Sequence, residues 1–530
     1  MTIKSSISKQ RTKEVSVMAN STTVAEAVEP KKKSSVKYAT TRAILASMAC
    51  IILGYDFGVM SGVALYIKKD LKITDVQLEI LMGIISVYSL IGSFAAGRTS
   101  DWFGRRCTVV IAAAIFFVGS LLMGFAANYA MLMAGRFVAG VGAGYGIMIA
   151  PVYTAEISPP SARGSLTSFP EAFINFGVLL GYVSNYAFAG LPLHLGWRVM
   201  LGVGAVPSVL LAVMVLGMPE SPRWLVMKGR LADARAVLEK ITSTPDEAAA
   251  RLADIKAAAG IPADLDGAVV TVPERQGSEE AQVWKELILC PTPAMRRILL
   301  AGLGLQFFQQ ASGVDSVILY SPRVFQSAGI AGDSRLLGAT CAVGVAKTLS
   351  ILVAVFLVDR VGRRPLLLFS TGGVVVSLVG LGTGLTVVAG SHPDEKTPWA
   401  VALCVVSVLA YVSLFSLGLG PIAGGGVYNS EIFPLRARAL GFAFGVACNR
   451  VTSGVLSMTF LSLSKAITIG GSFFLYAGIA ALAWAFFFTY LPETRGRTLE
   501  EVGRLFGKAN TVMETHGAAA NERTVEAPAN

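Results

Sequence analysis

Long apolar segments separated by short polar ones make up most of this sequence. Many are long enough for a helix to cross roughly 30 Å of hydrocarbon, which takes about 20 residues. Their apolar residues do not alternate with polar ones, as the strands of a membrane barrel require. The pattern predicts an all-α membrane protein with twelve transmembrane helices. We place them at residues 43–66, 76–97, 107–126, 128–150, 165–188, 197–217, 297–325, 336–358, 365–389, 399–424, 437–463 and 471–491.

One polar segment is much longer than the others. Residues 218–296 are charged and include Ala-rich helical stretches, so we interpret them as a cytoplasmic helical linker. It separates an N-terminal six-helix half, residues 41–217, from a C-terminal half, residues 297–494. The polar ends predict a disordered cytoplasmic tail at 1–40 and a second cytoplasmic tail at 495–530.

Three motifs occur in the same order in both halves. They pair Gly97–Arg106 with Val358–Arg364, Glu156–Pro159 with Glu431–Pro434, and Pro219–Arg223 with Pro492–Arg495. Parallel repeats of this size in a membrane protein are typical of transporters built from two halves. The repeats therefore predict two pseudo-symmetric six-helix halves.

Composition and charge agree with a membrane protein. Only 15% of the residues are charged and 53% are hydrophobic, whereas soluble proteins carry about 25% charged residues. The net charge of +11 comes largely from Lys and Arg in alternate loops. This positive-inside pattern places both termini and the linker in the cytoplasm, and it explains the charge without nucleic-acid binding.

The sequence gives no indication of a metal centre, a cofactor or an enzyme. The 6 cysteines lie in or beside apolar segments without CxxC spacing, and the 3 histidines lie in loops or the tail. These positions predict neither a disulfide framework nor a zinc site. We also find no nucleophile motif and no phosphate-binding loop, so an enzymatic function is not expected.

Eight motifs together resemble those of sugar porters of the major facilitator superfamily, over residues 40–505. They are Gly54–Asp56, Gly97–Arg106, Gly135–Phe137, Pro151–Gly164, Pro219–Leu225, Gln309-Gln310, Asp359–Arg364 and Pro492–Leu499. Within that family the chain is most similar to plant polyol/monosaccharide transporters. Three segments carry this closer similarity: Pro170–Gly177, Gln310–Asp315 and Lys347-Thr348.

Asp56 and Arg136 are charges placed inside the first and fourth spans, which pack together in this fold. A charge at bilayer depth is costly and is rarely without a function. A buried carboxyl keeps its proton more readily, and a nearby guanidinium promotes the release of that proton. Movement of Arg136 relative to Asp56 would therefore load or release a proton, and the resemblance implies this pairing. A fixed structural salt bridge is the alternative. Besides Asp56 we place only Glu171 and Glu156 as acidic residues in the first-half spans.

The resemblance also implies a polar substrate site. Its residues are Glu171, Gln309, Gln310, Asp315, Lys347 and Asn449. Amides suit vicinal hydroxyl groups because they both donate and accept hydrogen bonds. Asp315 and Lys347 carry opposite charges on neighbouring spans. They could contact the substrate directly, or they could form a purely structural pair.

A third group of charged residues lies at the cytoplasmic ends of the spans, where we predict a gate. It comprises Arg98, Asp101, Arg105, Arg106, Glu156, Arg163 and Glu220 in the first half, and Asp359, Arg363, Arg364, Glu431, Arg438 and Glu493 in the second. Such pairs can hold two halves together in one state and separate in another. For some of these residues the charge could serve only to orient the chain.

The sequence departs from the family at span ten. The family has a Trp shortly after Gly-Pro-Ile, whereas this chain has Gly424–Gly426 there and apparently two extra residues. Each glycine loosens a helix by roughly 1 kcal/mol relative to alanine. The aromatic wall expected beneath a sugar ring is therefore missing.

Together these features predict proton-coupled symport of polyols or monosaccharides by alternating access. The expected partners are a small polyol or sugar, a proton and the lipid bilayer, for a monomer in the plasma membrane. One alternative is an uncoupled facilitator in which Asp56 is structural. Another is a transporter-like nutrient sensor, although the tail of about 35 residues after Arg495 is short for that role.

Overall fold

The computed structural model describes residues 37–158, 166–242, 244–262, 265, 267, 269–270, 291–391, 397–424, 427–433 and 438–495. Within these residues all regular secondary structure is helical. Most of both predicted tails, and the gate residue Arg163, lie outside the described residues.

Seven helices form the six spans of the first half. They are α1 (Ala49–Leu71), α2 (Asp75–Phe103), α3 (Arg105–Gly124), α4 (Tyr129–Ile157), α5 (Phe169–Ala187), α6 (Leu193–Gly202) and α7 (Ala205–Val215). Helix α1 continues a helical segment that begins at Lys37, and α6 and α7 together make one span. Three shorter helices follow in the linker: α8 (Pro222–Met227), α9 (Leu231–Ile241) and α10 (Pro245–Ala258).

Eight helices and one π-helical turn form the six spans of the second half. They are α11 (Pro293–Ala311), α12 (Val314–Ser327), α13 (Asp333–Val361), α14 (Arg363–Gly390), α15 (Pro398–Leu417), the turn Gly420–Gly424, α16 (Val427–Ile432), α17 (Arg438–Ile467) and α18 (Ile469–Tyr490). Helix α2 packs along α17, α5 packs along α13, and α1 contacts α12, so these contacts join the halves.

In the second half, two predicted spans are not continuous helices, and a glycine lies at each break, Gly313 in the seventh span and Gly418 in the tenth. The seventh span breaks between α11 and α12, where Gly313 has a φ of +86°. An L-amino-acid side chain is disfavoured in that conformation, whereas glycine adopts it readily. The tenth span leaves the α-helix after Leu417 and continues through the π-helical turn. Residues that follow the two breaks, Val314 and Gly424, line a cavity between the halves.

Nine described helices are long and apolar enough to cross a membrane by composition alone. The other three spans, formed by α5, by α11 with α12, and by α17, are more polar or are broken. They carry Glu171, the glutamines of the seventh span, and Asn449. Polar residues at bilayer depth face the protein interior and mark substrate or ion pathways. The less apolar spans therefore contribute much of the polar surface in the protein interior.

Close packing of α1 on α5 fixes one wall of this interior. A Cβ atom on Gly54 would overlap the carbonyl oxygen of Ile174, and one on Gly58 would overlap that of Val178. Small residues at such crossings let two helix backbones approach closely. The contact holds Asp56 and Glu171 at fixed positions on neighbouring helices.

Candidate functional site

A cavity of about 320 Å³ lies between the two halves, and both contribute to its lining. The volume is at the lower end of the range for small-molecule sites. All six residues predicted to bind substrate line it: Glu171, Gln309, Gln310, Asp315, Lys347 and Asn449. The lining continues along α2 and α4 to Gly97 and Val152, towards the end of the bundle that carries the two basic turns.

Amide side chains form a connected network on the second-half wall. Asn449 Nδ2 donates to Gln309 Oε1 at 2.6 Å and to Gln306 Oε1 at 2.9 Å. Gln310 Nε2 donates to Asn449 Oδ1 at 3.0 Å, while Gln310 Oε1 accepts no hydrogen bond from any residue that the structure describes. A buried acceptor without a donor is costly, so Gln310 Oε1 is suited to a ligand hydroxyl.

Four charged side chains line the same cavity: Glu171, Asp315, Lys347 and Arg450. Lys347 is only 7% exposed, and its ammonium group makes no direct ion pair or hydrogen bond with the described residues, although the charges of Glu171 and Asp315 lie near enough to act on it. Asp315 does not pair with it but accepts a hydrogen bond from Ser453. The purely structural pair considered from the sequence is therefore not formed here. A buried ammonium that makes no hydrogen bond is unfavourable unless a ligand or water supplies acceptors, which favours direct contact between Lys347 and a ligand.

Arg450 and Gln306 line the cavity as well, and they are not among the predicted site residues. Arg450 donates to Asn449 Oδ1 through Nε at 3.2 Å and through NH2 at 2.7 Å. Gln306 Nε2 donates to the carbonyl oxygen of Ala423 at 2.8 Å. Arg450 could have been found as a charge inside the eleventh span beside Asn449.

Gly424 brings backbone into the site at the position where the family has an aromatic residue nearby. A Cβ atom there would lie 2.6 Å from Gln309 Nε2 and 3.4 Å from Glu171 Oε2. Glycine is therefore required for the observed position of the Gln309 amide. Gly425 and Gly426 lie outside the described residues.

Asp56 and Arg136 form a fully buried ion pair between α1 and α4. The NH1 group of Arg136 lies 2.5 Å from Asp56 Oδ2, and the two side chains are 0% and 1% exposed, respectively. Arg136 Nε also donates to the carbonyl oxygen of Leu81 at 3.1 Å. Leu53 and Phe57 of α1 line the cavity, so the ion pair lies behind the cavity wall.

Glu79 corrects the expectation about acidic residues in the first half. It lies in α2, within a predicted span, and is only 2% exposed. Its carboxylate accepts from the backbone N–H of Ser462 and from the Ser462 hydroxyl, both at 2.6 Å. The count of acidic residues was wrong because Glu79 is close to the end of its span.

The basic turn of the first half is built around Gly104, whose φ is +92°. Arg105 donates to both carboxylate oxygens of Glu156 at 3.0 Å. The backbone N–H groups of Arg105 and Arg106 donate to Glu220. Burial raises the pKa of the Glu220 carboxyl above its ordinary value, and these N–H donors, with that of Ser221, oppose the shift. The turn therefore ties α3 to α4 and to the start of the linker.

The second half repeats this arrangement around Gly362, whose φ is +104°. Arg363 Nε donates to Glu431 at 3.1 Å, and the N–H groups of Arg363 and Arg364 donate to Glu493 at 3.1 and 2.9 Å. These contacts join elements within one half.

Other gate residues contribute less to this arrangement. Asp101 is 3.3 Å from Arg105 and largely exposed, and Arg98 is exposed. The side chains of Asp359 and Arg438 lie outside the described set. A gate between the halves stays a prediction.

The chain is similar to transporters along nearly its whole length. The profile of a family described as "Sugar (and other) transporter" matches residues 42–506. The sequence is 60% identical over 478 residues to Polyol transporter 5 of Arabidopsis thaliana, covering 90% of this chain and 87% of that protein. It is 58% identical over 498 residues to Putative polyol transporter 1 of the same plant, covering 94% and 97%.

A solved structure shows the same fold. The proton:xylose symporter XylE of the major facilitator superfamily, bound to 6-bromo-6-deoxy-D-glucose, superposes with a TM-score of 0.72 at 27% identity, covering 89% of this chain and 99% of that one. The predicted fold class and the resemblance to plant polyol transporters are confirmed. The chain belongs to the sugar transporter family of the major facilitator superfamily.

Proposed function

We propose that this protein is a proton-coupled symporter of polyols, monosaccharides or both. The observation that carries the proposal is the cavity between the halves. It contains the amide network, together with the Lys347 ammonium and Gln310 Oε1, which make no hydrogen bond with the described residues. A chain of hydroxyl groups offers a donor and an acceptor at every carbon, so it can satisfy amides and charges together. Hydrogen bonds to charged groups are the stronger ones, and Lys347, Glu171 and Asp315 provide them.

The Asp56–Arg136 ion pair supports coupling to protons. Helix α1 carries Asp56 on one side, with Leu53 and Phe57 on the cavity side, so movement of α1 around a bound substrate would move Asp56 relative to Arg136. A carboxylate separated from its guanidinium partner in a water-poor interior takes up a proton. The structural neighbour XylE is named as a proton:xylose symporter.

Alternating access requires each half, residues 41–217 and 297–494, to move largely as one body around the cavity. The two basic turns stabilise each half internally at one end of the bundle. We place that end, both termini and the linker in the cytoplasm by the positive-inside rule, with the protein in the plasma membrane as a monomer. In this orientation the contact between α2 and α17 closes the outer end.

An uncoupled facilitator is the second candidate, because Arg136 has backbone partners besides Asp56. Its guanidinium donates to the carbonyl oxygens of Leu81 and Met82 at 3.1 and 3.5 Å. Those contacts could hold Arg136 in place throughout transport. In that case the ion pair would be part of the scaffold.

Uptake into cells or proteoliposomes containing the full chain separates these candidates. We expect labelled sorbitol or xylitol to accumulate when the outside is acidic, and a protonophore to abolish the accumulation. Linear polyols should compete for uptake. Competition by hexoses alone would contradict the polyol assignment, and accumulation that ignores the protonophore would contradict proton coupling.

A further inference from the structure

Helices α2 and α17 run antiparallel and join the halves through a row of contacts that we call the outer seam. Four contacts make up this seam, from the outer end inwards. Asp75 pairs with Lys465 at 2.6 Å, Glu79 accepts from Ser462 at 2.6 Å, Gly83 packs against Met458 and Gly454, and Ser86 lies 2.9 Å from Ser453, between hydroxyl oxygens.

The spacing of the α2 residues explains why the seam is continuous. Residues three or four apart in a helix lie on one face, and positions 75, 79, 83 and 86 follow that spacing. Gly83 sets the distance between the helices, because a Cβ atom there would lie 2.6 Å from Met458 Cγ and 3.0 Å from the carbonyl oxygen of Gly454. The helices can therefore approach until Ser86 and Ser453 are at hydrogen-bond distance, both buried.

The innermost contact of the seam continues into the substrate cavity. The Ser453 hydroxyl donates to Asp315 Oδ2, and Asp315 lines the cavity. A serine hydroxyl has a single proton to donate, and the proton of Ser453 is directed at Asp315. Ser86 must then donate to Ser453. The hydrogen bonds therefore run in one direction, from Ser86 through Ser453 to Asp315.

We propose that Ser86 and Ser453 are positioning residues that couple occupancy of Asp315 to closure of the outer seam. The inference rests on the proposed transport function. Ser86 belongs to the first half, and Ser453 and Asp315 belong to the second. Opening of the outer end separates Ser86 from Ser453, and the Ser453–Asp315 bond then loses the donor that polarises it.

This geometry gives the substrate different affinities for the state with the outer seam closed and the state with it open. Asp315 Oδ1 has no hydrogen-bond donor among the described residues, so it is available to a substrate hydroxyl. With the seam closed, the chain of hydrogen bonds fixes the carboxylate for that contact. A ligand shifts a conformational equilibrium only through such a difference in affinity. A bound polyol should therefore favour the state with the outer end closed.

The test uses spin labels at the outer ends of the two helices. Val76→Cys and Ile467→Cys, introduced after replacement of the native cysteines, place labels at exposed positions beside the Asp75–Lys465 contact. Dipolar coupling between the labels is strong when the seam is closed and weak when it is open. The labelled parent is compared with Ser86→Ala and with a matched control, Ser89→Ala. Ser89 is also buried in α2, but it donates to the Ser86 carbonyl oxygen of its own helix.

We expect Ser86→Ala to raise the ratio of open to closed molecules about fivefold, the effect of one net hydrogen bond. Ser89→Ala should match the parent. Saturating xylitol should increase the closed fraction in the parent and in Ser89→Ala, but not in Ser86→Ala.

If Ser86→Ala and Ser89→Ala have equal fractions of open molecules in the absence of substrate, the proposal is overturned. A full xylitol response in Ser86→Ala would also overturn it. Protonophore-sensitive xylitol uptake by the labelled parent tests the proposed function separately. If this uptake is absent, polyol symport is contradicted. The comparison of the two serine variants without substrate then still decides the proposal about the outer seam.

Discussion

Gly424 lies so close to Gln309 that a Cβ atom on residue 424 would be 2.6 Å from the Gln309 amide nitrogen. The amide in turn accepts a hydrogen bond from Asn449 at 2.6 Å through its oxygen. The π-helical turn at Gly420–Gly424 therefore determines where the amide network presents its donors and acceptors.

The first prediction concerns this glycine. Gly424→Ala should displace the Gln309 amide and weaken apparent polyol affinity about fivefold, the effect of one net hydrogen bond. Gly420→Ala is the matched control in the same turn, because a Cβ atom there meets its nearest neighbour, the Phe415 carbonyl oxygen, only at 3.4 Å. Concentration dependence of xylitol uptake gives both affinities. Equal affinities in the two variants would show that Gly424 does not position Gln309.

Lys347 gives a prediction that separates binding from stability. Lys347→Gln should weaken polyol affinity about tenfold or more, because a hydrogen bond to a charged group contributes about 1.5–3 kcal/mol. Thermal stability without substrate should change little, because the removal of a buried ammonium that makes no hydrogen bond among the described residues offsets the loss of its attraction to the Glu171 and Asp315 carboxylates. Thermal unfolding and substrate binding of the purified protein measure both quantities. A marked loss of stability with unchanged affinity would favour a structural role.

Arg450 should act on the substrate through Asn449. Arg450→Gln leaves Asn449 Oδ1 with Gln310 as its remaining donor, so the amide becomes less well oriented. We expect about fivefold weaker apparent affinity, with a smaller effect for Arg450→Lys, which keeps the charge but loses the two-pronged contact. Substrate binding by the purified variants checks this order. Equal losses of affinity in Arg450→Lys and Arg450→Gln would indicate that the two hydrogen bonds to Asn449 matter and the positive charge does not.

The pseudo-symmetric turns predict matched effects of two distant substitutions. Glu220→Gln and Glu493→Gln each weaken the acceptor for two backbone N–H groups that follow a glycine with positive φ. Each should lower the free energy of unfolding by about 1–3 kcal/mol. Thermal unfolding in detergent compares them. A large effect in one half and none in the other would contradict equivalent roles for the two turns.

The sequence predicted the twelve spans and the paired motifs because hydropathy and motif order depend on composition and spacing alone. It did not predict the breaks at Gly313 and Gly418, because an apolar segment keeps its hydropathy when its backbone leaves the α-helix. The six substrate residues came from the family resemblance, and the structure brings all of them to one cavity.

Other features depend on side-chain geometry that no linear pattern specifies. Asp315 and Lys347 carry complementary charges, yet Asp315 is bound by Ser453 because α17 places that hydroxyl closer. Gln306 and Arg450 become site residues only when helices α11 and α17 face each other. Glu79 is buried by contact with α17, a helix almost 400 residues later in the chain.

The Asp56–Arg136 ion pair leads to the central prediction. A membrane potential of 100 mV supplies roughly 2.3 kcal/mol per charge, so one proton could sustain roughly fortyfold accumulation of a neutral substrate. Asn at position 56 keeps the size of the side chain but cannot titrate. Asp56→Asn should therefore lose accumulation and keep substrate binding and exchange. Substitution of Arg136 should also uncouple transport, because it removes the partner against which Asp56 switches.

The most direct measurement is uptake of labelled polyol against its gradient at acidic external pH, by wild-type protein and Asp56→Asn. Counterflow under the same conditions serves as the control, because it needs substrate exchange but no proton gradient. Proton coupling through Asp56 predicts that the variant equilibrates without accumulation and retains counterflow. Full uphill uptake by Asp56→Asn would contradict proton coupling at this residue and identify the buried ion pair as part of the scaffold.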